Sequence, residues 1–113
     1  MSEINDLIDE ILEEGFDDWV MLVSIVRSAE ERRPDDPQGA RTLATALIHE
    51  LIVGEWMLPG EVEDSGFKPW QEPPADAAAR VIRDLDAVDW NVVDNVVAWF
   101  DNTDRGNQRA DEL

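Results

Sequence analysis

Proline and glycine cut this chain into short pieces, and that division limits what it can fold into. Gly15, the Pro34–Pro37 stretch, Gly54, Pro59-Gly60 and Pro73-Pro74 fall between stretches of periodic apolar residues. Neither residue sits well inside a helix, so the chain reads as a series of short elements around one core. Ile4, Leu7, Ile8, Ile11 and Leu12 recur at i, i+3, i+4, i+7 and i+8, one stripe of a helix with Asp9, Glu10, Glu13 and Glu14 off it. The spacing predicts that Gly15 stops this helix. Asp17 is then expected to cap a second one, with Phe16 and Met21 at hydrophobic-staple spacing. Trp19 to Val26 is apolar on nearly every side, which predicts a central, buried helix running to about Glu31.

Asp36 followed by Pro37 predicts a third helix start. Ala40, Leu43, Ala44, Leu47, Ile48, Leu51 and Ile52 would share one face, and Gly54 would end the helix as a left-handed cap. Residues 55–72 carry Trp56, Leu58 and Val62 interrupted by Pro59-Gly60, then Gly66 to Trp70, and read as a strand, a turn and a wing-like flap. Pro73-Pro74 opens a further helix with Ala78, Val81, Ile82, Leu85 and Val88 in register. Asp89 to Asp94 reads as a turn or short helical piece, Val96 to Phe100 as a strand, and Thr103 to Gly106 as a turn. The expectation is one domain over residues 1–106, mainly α with a small β-sheet and winged-helix-like, followed by a polar tail over 107–113 that frays.

Charge limits function as firmly as the breaks limit fold. There are 27 acidic side chains and nine basic ones in 113 residues, a formal net charge of −18. Solubility of a small domain asks for roughly 2–8 units. The excess repels nucleic acid and anionic membranes and suits a cation-rich partner. Five Trp and three Phe set the chain apart from a disordered acidic tail. No stretch has the apolar length of a membrane span, and the acidic N-terminus lacks the bases of a secretory signal. A cytoplasmic setting is expected, with no membrane or nucleic-acid partner.

Catalytic chemistry finds little to work with. The chain has no Cys, no Tyr and one His, which removes thiolate nucleophiles and the usual zinc ligand sets. His49 reads as a packing residue on a helix flank. Asp101, Thr103, Arg105, Gly106 and Glu112 fall at calcium-loop positions, but Arg105 stands where an oxygen ligand is needed. No enzyme activity, metal or cofactor is expected.

The runs GEWMLPGEV, GFKPW, PPADAAARVIRDL and VVAWFDNTDRG resemble those of small acidic winged-helix-like bacterial proteins. Some of these look like the immunity partners of polymorphic and contact-dependent growth-inhibition toxins. The likeness covers about residues 17–106 and rests on Gly, Pro and Trp landmarks. It implies a winged-helix-like fold and, beyond that, neutralisation of a toxin. No functional residues transfer with it.

Charge and resemblance together lead to an immunity protein that sterically blocks a cationic toxin, such as a nuclease. Asp17, Asp18, Asp35, Asp36, Glu61, Glu63 and Asp64 are the candidate contacts for a basic protein, with Phe67 and Trp70 as exposed apolar anchors. Two alternatives remain open. One is a winged-helix transcription regulator reading DNA through Arg41, Thr42 and Thr45. The other is a DNA-mimic inhibitor of a nucleic-acid enzyme.

Overall fold

The computed structural model describes residues 2–113. Ser2 opens α1 (Glu3–Asp17) by accepting the Asn5 amide at 3.1 Å. The apolar stripe does what its spacing demands: Leu7, Ile8, Ile11 and Leu12 are buried. Gly15 does not stop the helix. It lies buried on the core face, where a β-carbon would collide with the side-chain amide of Asn102. The glycine is there for close packing, and the helix continues to Asp17.

Two residues of strand, β1 (Val20–Met21), separate α1 from α2 (Leu22–Arg32). Asp17 is therefore the end of α1 and caps nothing. Asp18 turns the chain, its carboxylate accepting the Trp19 amide at 2.8 Å. Phe16 and Met21 are 51% and 45% exposed and staple no helix. A long-range contact overrides the local signal here: Val20 pairs with Phe100, and both are fully buried.

In α3 (Pro37–Val53) the expected cap is in place, Asp36 accepting the Gly39 amide at 2.9 Å. All seven residues of the predicted apolar face are buried. The left-handed residue at its end is Glu55 (φ 61°), since Gly54 stays right-handed at φ −71°. The hairpin follows as β2 (Met57–Glu63) and β3 (Gly66–Pro69), so Pro59-Gly60 lies within a strand and the turn falls at Asp64-Ser65. Next comes α4 (Pro74–Ala87), which packs on α3, as α2 does.

The chain then passes through left-handed Asp89 and Trp90 (φ 51° and 58°). Arg41 holds this turn, donating to the Asp89 carboxylate at 3.1 Å and to its carbonyl at 2.9 Å. A short 3-10 turn (Val93–Asn95) leads to β4 (Trp99–Asn102).

The sheet runs β1-β4-β2-β3, antiparallel throughout. The order helix, strand, helix, helix, hairpin is that of a winged helix. The departure is β4, which enters from the far end of the chain and separates β1 from the hairpin. The molecule is thus mainly α with a small antiparallel sheet, winged-helix-like in the order of its first elements.

Residues expected as a turn and a fraying tail form α5 (Asp104–Asp111), packed on α1. Thr103 caps it by accepting the Gly106 amide at 3.0 Å, and donates its hydroxyl to the Glu55 carbonyl at 2.7 Å. Arg109 reaches Asp9 at 2.7 Å. Arg105 and Arg109 lie over the Trp56 ring, 3.7 and 4.7 Å from its centroid. The helix is held by side chains that an apolar pattern does not reveal.

Two stability changes are expected. Gly15→Ala should lower stability in urea unfolding by about 1–2 kcal/mol, because crowding against Asn102 outweighs the better helix propensity of alanine; a gain would show that the close approach is relaxed at no cost. Deleting residues 104–113 should lower the urea midpoint, where a frayed tail would leave it unchanged.

Candidate partner-binding face

Most of the positive charge of the chain is used within the fold. Arg32 pairs with Glu10, Arg33 with Glu3, Arg41 with Asp89, Lys68 with Glu63, Arg80 with Glu72 and Arg109 with Asp9, and Arg83 lies near Asp84. Arg105 donates to the Gly54 carbonyl at 3.0 Å. Each such surface pair adds little stability, but together they leave few cations free. Seven of the 27 carboxylates are matched in this way, and the other twenty have no ion-pair partner among the described residues. Arg33 holds the Glu3 carboxyl below its usual range through a hydrogen bond.

The sheet has a core side and an outer side. Val20, Phe100 and Pro59 pair across three strands and point inward, as do Met57 and Asn102. Asn102 donates to the Leu12 carbonyl at 2.8 Å and to Asn107 at 3.1 Å. By strand alternation Met21, Trp99, Asp101 and Leu58 point outward. Leu58 is 45% exposed, and Val97, just before β4, is 65% exposed. Phe67 shares this side, its ring lying against Gly60 where a side chain would otherwise stand. Trp19 packs on Phe67 with ring centroids 6.2 Å apart. A groove of about 200 Å³ extends the surface, lined by Met21, Val93, Val96, Val97 and Trp99 together with the carboxylate of Asp94.

The Trp19–Phe67 contact brings two of the expected acidic groups together. Asp17 and Asp18 immediately precede Trp19, while Glu61, Glu63 and Asp64 lie on the hairpin that carries Phe67; all five are exposed. Lys68 is the single base in any strand among the described residues, and it is held by Glu63 at 3.0 Å. Asp35 and Asp36 are elsewhere. They sit beside Arg33, whose partner Glu3 starts α1. A helix of fifteen residues, about 22 Å long, separates that end from Asp17. Asp36 is also engaged as the cap of α3.

Neither Phe67 nor Trp70 is an exposed anchor. Both are half-buried, Phe67 against Trp19 and Trp70 between the core and the Arg80 guanidinium, 3.7 Å from its ring centroid. The Trp70 ring lines a separate cavity of about 400 Å³ with Ile52, Pro59 and Ala77. Of the four charged groups there, Glu72 is paired with Arg80 and Arg105 donates to the Gly54 carbonyl, while Glu55 and Asp104 have no ion-pair partner among the described residues. The large apolar side chains that do stand out are Phe16, Trp19, Met21, Leu58 and Val97, together with Val53, Val92 and Leu113. The apolar run from Trp19 to Val26 reads as a buried helix, which hides Trp19 and Met21 as surface residues. The alternation of Trp19 and Met21 around Val20 was the available signal.

Burial raises the Asp101 pKa above 3.8, opposed only in part by the Asn102 backbone amide. The outward-facing Asp101 thus stands in an apolar setting with no base beside it. His49 is exposed on α3, and among the described residues no group of three or more His, Asp or Glu is placed to hold a metal. The calcium-like spacing from Asp101 to Glu112 runs across β4 and α5, a path that cannot wrap an ion. On α3 the exposed stripe is Gln38, Thr42, Ala46, His49 and Val53, while Arg41 is tied to Asp89. No helix among the described residues is long and apolar enough to cross a membrane. What the outer sheet face can do chemically is bind: it offers an apolar centre with anionic margins.

A raised carboxyl pKa means that the folded state holds its proton more tightly than the unfolded chain. Asp101 therefore weakens the fold as pH rises from 3.8 through its folded value, and the loss persists above it. Asp101→Asn should raise the urea midpoint near neutrality and give no gain below pH 3.8. An equal gain at both would remove burial of the charge as the cause.

Compared with protein-family models, curated proteins and solved structures, the chain matches none.

Proposed function

We propose that this chain is a binding protein that captures a cationic macromolecule through the outer face of its sheet. The specific form we favour is an immunity protein that neutralises a basic toxin, such as a nuclease, by covering its active-site cleft in the cytoplasm. One observation carries the reading. Trp19, Met21, Leu58 and Trp99 form an apolar surface whose margins hold Asp17, Asp18 and Asp64, none of them ion-paired among the described residues. Exposed apolar patches rimmed by polar groups mark interaction surfaces, and Trp is enriched at their energetic centres. The carboxylates would steer a basic partner into place and compete with its nucleic-acid substrate. No chemistry by this chain is needed.

The test is reconstitution with candidate basic toxin domains taken from neighbouring reading frames. A one-to-one complex that abolishes toxin activity is expected, with an association rate that falls steeply as salt rises. A rate that is flat with ionic strength, or no complex, would sink the reading. Met21→Lys places a cation in the apolar centre. It should weaken binding by about thirtyfold, the scale of losing a buried anchor, mainly through faster dissociation. Gel shift at low salt separates the DNA-regulator reading: no duplex binding is expected, and binding would favour it. If the protein instead blocks a nucleic-acid enzyme that is no toxin, the DNA-mimic reading gains.

A further inference from the structure

Among the described residues Asp101 is the one carboxylate on the outward side of β1, β2 and β4. Its neighbours there are Leu58, its register partner, and Trp99, two residues back on its own strand. Phe100 and Asn102, on either side of it, are buried in the core, so the strand fixes which way Asp101 points. Among the described residues it pairs with no base, and the single basic residue in the sheet is held by Glu63. On the β1 side the residue ahead of Trp19 is Asp18, again an acid. An unpaired carboxylate among apolar side chains is a liability in the free protein. It becomes an asset only when a cation arrives with apolar neighbours of its own.

We infer that Asp101 receives the guanidinium of an arginine from the partner, at the centre of the outer sheet face. Arginine fits better than lysine for two reasons. Its planar fork can bond both carboxylate oxygens, and its flat face can lie on the Trp99 indole beside them. A second copy of this chain is a poor occupant, because it would bring a charge of −18 against another −18. The inference deepens the proposed function and rests on it for the choice of face. It adds what selects the partner: an arginine set among apolar residues, where a diffuse basic patch would not suffice.

A short peptide tests this without the natural partner. The probes are acetyl-Leu-Arg-Leu-amide, the same peptide with lysine, and the same peptide with citrulline, the neutral isostere of arginine. The readouts are the Asp101 carboxyl carbon and the Met21 methyl in NMR titration. The arginine peptide is expected to shift both saturably. The citrulline peptide should bind about tenfold more weakly, as loss of a charge-assisted pair predicts, and the lysine peptide should fall between them. In Asp101→Asn the three peptides should bind alike. Discrimination that survives in that variant, shifts confined to other residues, or lysine binding as tightly as arginine would overturn the inference. The two proposals fail separately. If the arginine preference holds but no toxin is neutralised, only the immunity reading falls. If a toxin binds the Asp101→Asn protein as tightly as wild type, only the arginine site falls.

Discussion

The pairing of β4 between β1 and β2 decides the character of this molecule. Val20, Phe100 and Pro59 meet on the core side of three strands, and burying them fixes the orientation of every neighbour. Met21, Trp99, Asp101 and Leu58 face out because the residues flanking them must face in. A slip of one residue would drive Asp101 into the core and expose Phe100. The same pairing draws residues from the far end of the chain into the middle of the sheet. Asn102 can then reach the Leu12 carbonyl, and α5 can lie along α1.

Much of the architecture was legible in the residues. The stripes of α1, α3 and α4, the cap at Asp36, and the hairpin between Trp56 and Trp70 all follow from local pattern. The misreadings at Gly15, at Asp17 and in the last helix share one cause, which is that a distant contact prevails over a local signal. Gly15 looks like a helix stop until Asn102 is seen against it. Asp17 looks like a cap until Val20 is claimed by Phe100. The last helix has almost no apolar residues, and its stability comes from Thr103, Arg105 and Arg109 meeting groups that lie far away in sequence. The candidate site was half legible. Carboxylates are visible in any sequence, so the anionic margins could be named. The apolar centre depended on sheet register, which no short stretch encodes.

The charge distribution has its own logic. Arginines hold the turn at Asp89, the start of α1 and the docking of α5. The cations act as internal ties, while most of the carboxylates face water unmatched. The large net charge is therefore an outward property, and the interior is organised as in any small domain.

An apolar sheet face invites unwanted assembly, and the borders of this sheet answer that risk. At one side β1 is two residues long, too short to template another strand. At the other, β3 carries Lys68 and closes on Pro69, which has no amide hydrogen to offer an incoming chain. The molecule can thus present a sticky surface to the right visitor while giving its siblings no ladder to climb, so its tendency to form fibres is set by the borders of the sheet and not by its face.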